Sequence, residues 1–153
     1  MIDAEPSTDG SPAGDLLLAE LRAINDEVEA GAREMERLSR LTALPDGAAL
    51  STARLRFSRA LRRHLQHVDG AILSYLRVAT AVTATPAVED FRRLLHEYHE
   101  AAAHHVARWP STSVVADWDG YRRSVADMLA RLRERTEVEK RDIHPLLAGK
   151  RPR

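Results

Sequence analysis

The chain has 153 residues, enough for one well-buried domain of ordinary size, and nothing in its composition indicates a second. Basic and acidic residues number 23 each, so no bulk charge attracts nucleic acid or an anionic membrane. Cysteine is absent, which excludes disulfides, thiolate metal sites and a cysteine nucleophile. No apolar run approaches the roughly 20 residues of a membrane-spanning helix, and no secretory signal pattern is present. We therefore expect a soluble, cytoplasmic protein without nucleic-acid or membrane partners.

The N-terminal residues 1–14 are rich in turn formers and poor in large apolar side chains, which predicts a flexible lead-in. A first helix is expected from Asp15, where apolar residues recur in steps of four and three. The turn signal Pro45-Asp46-Gly47 follows this helix. Its core-facing stripe is Leu17, Leu21, Ile24, Val28, Gly31, Met35 and Leu38.

A second helix is expected after Ser51, whose side chain can cap its N-terminus. Its end falls in the weakly patterned stretch up to Ala84. One histidine, His64, lies on the apolar stripe of this helix. The stripe is Phe57, Leu61, His64, Val68, Ala71, Tyr75 and Val78.

A third helix is expected to open at Thr85 and Pro86 and to stop at Pro110, because proline suits the first turn and breaks a helix interior. His96 and His104 on this helix have the spacing of metal ligands but lie away from the apolar stripe, so we interpret them as part of an exposed face. The stripe is Val88, Phe91, Leu95, Tyr98, Ala102, His105 and Trp109.

A fourth helix is expected after a short connection in which Ser111 can act as a cap, with an interruption near Gly120 and an end before Pro145. Two ionisable residues, Arg135 and Glu139, fall on its apolar stripe. Charges are rarely buried without a partner, so this pair marks a site or satisfies itself. The stripe is Trp118, Tyr121, Val125, Met128, Leu132, Arg135, Glu139 and Leu146.

Four amphipathic helices with short links, and no period-two strand pattern, predict an all-α fold: an antiparallel, up-down-up-down four-helix bundle. We expect the bundle over residues 15–147 and a frayed tail over 148–153. The sequence contains no glycine-rich phosphate loop, nucleophile elbow or H-E-x-x-H motif, so we expect no enzymatic activity.

A weak internal repeat links the second and fourth helices. The segment RHLQHVDGAILSYL aligns with ERTEVEKRDIHPLL so that His64 matches Arg135 and Val68 matches Glu139. Each segment places two side chains four residues apart on one helical face, as metal ligation from a bundle helix requires. These residues resemble the hemerythrin-like (HHE cation-binding) family, whose repeated element is H-x-x-x-E followed by an apolar pair and often a proline. The resemblance implies a four-helix bundle of the type in which histidines and glutamates hold two iron atoms.

Several positions that the resemblance assigns to iron ligands hold other residues. His64 stands at the histidine of the first motif, with Val68 where its glutamate would be. Glu139 stands at the glutamate of the second motif, with Arg135 where its histidine would be. On the first helix, L-L-A-E-L-R resembles the family's L-x-x-E-H-R with Leu21 in place of the histidine.

On the third helix, the counterpart of these ligands is either Tyr98 or His99, and the sequence does not choose between them. The ligands that remain from the family pattern are His64, Glu139 and, under the second choice, His99. A di-iron centre of the family's type needs more ligands than these.

Arg135 is a permanent cation where a ligand would stand, and it would repel a metal. We therefore predict that Arg135 and Glu139 form an internal ion pair, hydrogen-bonded to His64, in place of the metal. This interpretation describes a protein without a cofactor, acting as a non-enzymatic regulatory or interaction module through a protein partner or self-association. The alternative is that His64, Glu139 and His99 hold iron, and that the bundle binds or senses oxygen or a related small molecule.

Overall fold

A computed structural model describes residues 10–79 and 85–150. Every regular element in these ranges is helical, so the predicted all-α class is confirmed. In the same ranges, no helix is both long and apolar enough to cross a membrane. The helices are α1 (Pro12–Ser39), α2 (Gly47–His67), α3 (Leu73–Ala79), α4 (Thr85–Arg108), α5 (Ser111–Ala116), α6 (Trp118–Asp142) and α7 (His144–Leu147), with a π-helical turn at Val68–Ile72 between α2 and α3.

The first two helices begin earlier than predicted. α1 begins at Pro12, because the Ser11 hydroxyl accepts a hydrogen bond from the Ala13 N–H and proline suits the first turn. α2 begins at Gly47 with Asp46 at the cap position, so the predicted cap at Ser51 is wrong. Most of the predicted lead-in, residues 1–9, and the predicted end of the second helix near Ala84 lie outside the described residues.

The break before α6 lies at Asp117, not at Gly120. The Asp117 carboxylate accepts the Gly120 N–H at 2.9 Å and so caps the first turn of α6, which leaves Gly120 inside the helix. At the other end, α6 stops at Asp142, and Pro145 lies within the short helix α7 rather than after the last helix. Proline is tolerated there because it occupies the first turn.

The end of the described chain folds back on α7. Gly149 adopts a positive φ of 75°, and the Lys150 N–H donates to the Pro145 carbonyl at 2.8 Å. This is the usual way in which glycine closes a helix C-terminus. Part of the expected frayed tail over 148–153 is therefore hydrogen-bonded, and residues 151–153 lie outside the described residues.

The π-helical turn directly after α2 changes which residues reach the core. Ala71 and Tyr75 were predicted on the apolar stripe, yet both are only half-buried, and Val78 is 89% exposed. Ile72 and Leu76, each one position later, are fully buried instead. A π turn inserts one residue into the helical repeat, so every later side chain is rotated by one position. The predicted stripe therefore holds up to Val68 and fails beyond it.

The core consists of two apolar clusters separated by a polar layer. α1 packs against α2 and α6, and α4 packs against α6. Among the described residues, the buried polar or charged side chains are His64, Arg135 and Glu139. On α6, Arg135 and Glu139 follow Leu132 of one cluster and precede Ile143 of the other, and His64 reaches the same layer from α2. The three polar side chains thus occupy the middle of the molecule.

The stripe of α6 is confirmed at its polar positions. Arg135 is 1% exposed and Glu139 is 0% exposed, so both face the core as predicted. The neighbouring apolar positions differ slightly, since Leu129 is buried where Met128 was predicted and Leu147 is buried where Leu146 was predicted.

Candidate functional site

The Glu139 carboxylate is the centre of the buried polar layer, and both of its oxygens are hydrogen-bonded. One oxygen, Oε2, lies 2.6 Å from Nε2 of His64. The other, Oε1, accepts the side-chain amide of Asn25 at 2.6 Å and lies 3.1 Å from Nε2 of His144. Three separate elements, α1, the end of α2 and the start of α7, therefore contribute a donor to one carboxylate on α6.

The charge state of this cluster follows from its hydrogen bonds. Burial alone would raise the pKa of Glu139, but the hydrogen bonds from His144, His64 and Asn25 hold it well below its usual range. Burial lowers the pKa of His64, and the hydrogen bond to Glu139 opposes this shift. Because an ionised carboxylate can only accept, Nε2 of His64 carries a proton and donates it to Glu139.

The predicted ion pair of Arg135 and Glu139 has no hydrogen bond between the two side chains, whereas the predicted contact with His64 is present. All three guanidinium nitrogens of Arg135 lack a hydrogen-bond partner among the described residues. The guanidinium carbon lies 4.9 Å from the centre of the Tyr98 ring, a cation–π geometry. Both residues are buried in the predicted layer, but Glu139 takes its hydrogen bonds elsewhere and leaves Arg135 without one.

Burial lowers the pKa of Arg135 despite the attraction of Glu139 and of Tyr98. The direction of this shift means that burial disfavours the charged guanidinium more than its surroundings favour it. The layer thus contains a satisfied anion next to an unsatisfied cation.

Tyr98 and His99, the two candidates on the predicted third helix, which is α4 in the structure, lie beside Arg135. Tyr98 is 4% exposed, and burial raises its pKa to about 12. Burial, together with the neighbouring charge of Arg135, lowers the pKa of His99 to about 4. The Tyr98 hydroxyl and Nε2 of His99 both lack a hydrogen-bond partner among the described residues. Tyr98, whose ring contacts Arg135, faces the polar layer, whereas His99 is only half-buried at its edge.

Sequence reasoning missed two of the donors to Glu139. Asn25 follows the stripe residue Ile24 and is half-buried. His144 lies outside the last long helix and reaches Glu139 only because the chain turns at Ile143 before α7. The available signal was spacing: Asn25 lies one turn after the stripe residue Leu21, on the same face.

The residues present do not fit a di-iron centre. His64 and His144 contact opposite oxygens of the Glu139 carboxylate, so each imidazole is hydrogen-bonded to Glu139 rather than directed at a shared point. The ranges that the structure describes contain no cluster of three or more histidine or acidic side chains arranged to hold a metal ion. Leu21 and Val68, at positions that the resemblance assigns to ligands, are fully buried hydrocarbon. The unpaired cation of Arg135 in the same layer would also repel a metal.

Within the described ranges, His99 does not form a group with His64 and Glu139 that could hold a metal ion. Its Nε2 has no hydrogen-bond partner there, while His64 and Glu139 are in direct contact. The exposed His96 of the same helix has a local partner instead: its Nε2 lies 3.2 Å from the Asp69 carboxylate. No family profile, curated protein or solved structure matches the chain.

Proposed function

We propose that the protein is a hemerythrin-like, antiparallel up-down-up-down four-helix bundle in which a hydrogen-bonded polar cluster takes the place of the di-iron centre. It acts as a non-enzymatic regulatory or interaction module. The observation that carries this proposal is the Glu139 carboxylate, both of whose oxygens are engaged, by donors from Asn25, His64 and His144.

The cluster has the properties of a structural centre. It joins α1, α2, α6 and α7 through hydrogen bonds of 2.6–3.1 Å to one ionised group. Charge-assisted hydrogen bonds are roughly twice as strong as neutral ones and fix the relative positions of their partners. A metal centre would fix the same helices through coordination. The polar cluster therefore supplies the cross-link without iron.

The alternative is an iron-binding bundle that binds or senses oxygen or a related small molecule. It requires His64, Glu139 and His99 to share an ion. The existing 2.6 Å contact between His64 Nε2 and Glu139 Oε2 would have to break for both atoms to ligate one ion. The metal-free proposal needs no such change.

A gain-of-ligand experiment tests the hemerythrin-like arrangement. The variant Leu21→His/Val68→Glu/Arg135→His restores the residues that the family pattern places at three positions. If the arrangement is correct, this variant takes up iron during expression with added iron, and the wild-type protein does not. A folded variant that takes up no more iron than wild type would contradict the hemerythrin-like arrangement, and iron in the wild-type protein would contradict the metal-free proposal.

The interaction role is tested separately by light scattering over a wide concentration range. Self-association predicts a molar mass that rises above that of one chain, 17.1 kDa, as concentration increases. A constant mass of one chain would leave a different protein as the partner and would contradict self-association.

A further inference from the structure

A cavity of about 460 Å³ lies between α2, α4 and α6. Its volume falls within the ~300–1,000 Å³ typical of small-molecule sites. The mouth lies between α2 and α4, where Arg62, Ala103 and Val106 are exposed. The walls are mainly apolar, with Phe57, Leu61, Leu65, Val125, Met128 and Leu129 among the lining residues.

The charges around this cavity have one sign. Its lining contains two arginines and two histidines but no aspartate or glutamate. Arg54 is already engaged, since it donates to the Trp109 carbonyl at 2.6 Å and lies over the Tyr121 ring. Arg62 at the mouth has no ion pair among the described residues. An occupant with a negative group matches this environment, and a cationic one does not.

The inner end of the cavity meets the unsatisfied part of the polar layer. Tyr98 and His99 line this end, and both have a side-chain polar atom without a hydrogen-bond partner among the described residues. Arg135 lies immediately behind Tyr98, with its guanidinium carbon 4.9 Å from the ring centre. Buried polar groups in folded proteins are almost always hydrogen-bonded, so three neighbouring orphan side chains require an explanation.

We infer that the cavity binds an amphipathic monocarboxylate, an organic acid with one carboxylate and an apolar body. The apolar body lies among the α2, α4 and α6 side chains, and the carboxylate lies at the inner end. There it accepts hydrogen bonds from Arg135 and from the Tyr98 hydroxyl, with Nε2 of His99 beside it. No hydrogen bond holds the guanidinium in place, so Arg135 turns toward the ligand without breaking one.

A carboxylate fits better than a phosphate. Behind Tyr98 at the inner end lies one guanidinium without a hydrogen bond, which matches a single negative charge and can hold it through two parallel hydrogen bonds. A dianion would leave a second negative charge buried next to the ionised Glu139 carboxylate. This inference does not depend on the hemerythrin-like arrangement or on the absence of iron.

The test uses decanoate as the probe, with decan-1-ol as the uncharged comparison, and measures binding by isothermal titration calorimetry at concentrations below micelle formation. We expect wild-type protein to bind one decanoate per chain and to bind decan-1-ol more weakly. Arg135→Met should weaken decanoate binding by about tenfold or more, which corresponds to about 1.4 kcal/mol, and leave decan-1-ol binding unchanged.

Two further variants separate the site from general effects. Arg131→Met removes an exposed arginine one turn earlier on α6 and should bind decanoate as wild type does. Ala103→Trp narrows the mouth and should abolish binding of both probes while the circular dichroism spectrum stays helical. The inference is overturned if decanoate binds no more tightly than decan-1-ol, or if Arg135→Met and Arg131→Met bind it equally. Binding at many sites that survives Ala103→Trp would show surface adsorption only and would overturn it as well.

Discussion

Replacing Glu139 and Arg135, the two charged side chains of the polar layer, by uncharged side chains should change the stability of the protein in opposite directions. Glu139→Gln removes an anion whose oxygens contact three donors. Arg135→Met removes a cation with no hydrogen bond among the described residues and replaces it with apolar volume. We expect the first variant to destabilise the ligand-free protein and the second to stabilise it slightly, because the anion is satisfied and the cation is not.

The magnitudes follow from the contacts. A hydrogen bond to a charged group contributes about 1.5–3 kcal/mol, and glutamine presents an N–H₂ group to donors that need an acceptor, so Glu139→Gln should cost about 3 kcal/mol or more. For Arg135, no nitrogen lies within 4 Å of the carboxylate, so at an effective dielectric constant of about 20 the attraction is below about 4 kcal/mol.

The contact with Tyr98 contributes up to about 2 kcal/mol more in favour of Arg135. Against these terms, three unsatisfied guanidinium nitrogens cost about 1–3 kcal/mol each, and the charge itself is desolvated. The lowered pKa of Arg135 indicates that the cost of burying the charged guanidinium exceeds its attraction to Glu139 and Tyr98. Arg135→Met should therefore raise the free energy of unfolding by about 1 kcal/mol.

The assay is urea denaturation followed by circular dichroism at pH 7, with Arg131→Met as the surface control. The expected order of stability is Arg135→Met above wild type and Glu139→Gln well below it, with Arg131→Met close to wild type. If Arg135→Met destabilises the protein by about 3 kcal/mol or more, Arg135 is the main partner of the carboxylate and the reasoning is refuted.

Three further outcomes are expected. His144→Ala should lower the free energy of unfolding by about 1.5 kcal/mol or more, because it removes a hydrogen bond to the ionised Glu139; no change in denaturation midpoint would show that α7 does not support the cluster. Burial holds the pKa of His99 near 4, against about 6.5 in an unfolded chain, so at pH values between these two the unfolded state binds more protons than the folded state. The free energy of unfolding should therefore fall as the pH is lowered from 7 to 4, and thermal melts at several pH values should show a shallower fall for His99→Gln. Gly14→Ala should lower the free energy of unfolding by about 1–3 kcal/mol, because the new methyl group would overlap the Leu147 backbone carbonyl in α7. Gly47→Ala, with open space around it, should be neutral or slightly stabilising, and equal shifts of the two melting temperatures would refute the close approach at Gly14.

The helical class and the buried position of Arg135 and Glu139 could be read from apolar spacing alone. A stripe with a 3.6-residue period gives the buried face directly, and both residues lie on it. The stripe failed after Val68 because the π-helical turn inserts one residue, which moves the buried positions to Ile72 and Leu76. Local periodicity carries no signal for such an insertion.

The partners within the polar layer could not be predicted from spacing on one helix. Arg135 and Glu139 are four residues apart, which suggests a pair, but Glu139 instead contacts Asn25 and His144. Asn25 is distant in sequence, and His144 approaches only because α6 ends at Asp142 and the chain turns. Tertiary packing decides which donors reach the carboxylate. Apolar spacing therefore identified Arg135 and Glu139 as buried but could not identify the hydrogen-bond partners of Glu139.

The most direct test of the metal-free core is elemental analysis with an absorption spectrum, on untagged wild-type protein expressed with added iron and purified without chelator. The account predicts a stably folded protein with no more than trace iron and no charge-transfer bands, because Asn25, His64 and His144 already occupy the oxygens of Glu139. Stoichiometric iron with charge-transfer bands would contradict the account and would make the alternative, an iron-binding bundle that senses oxygen or a related molecule, the correct one.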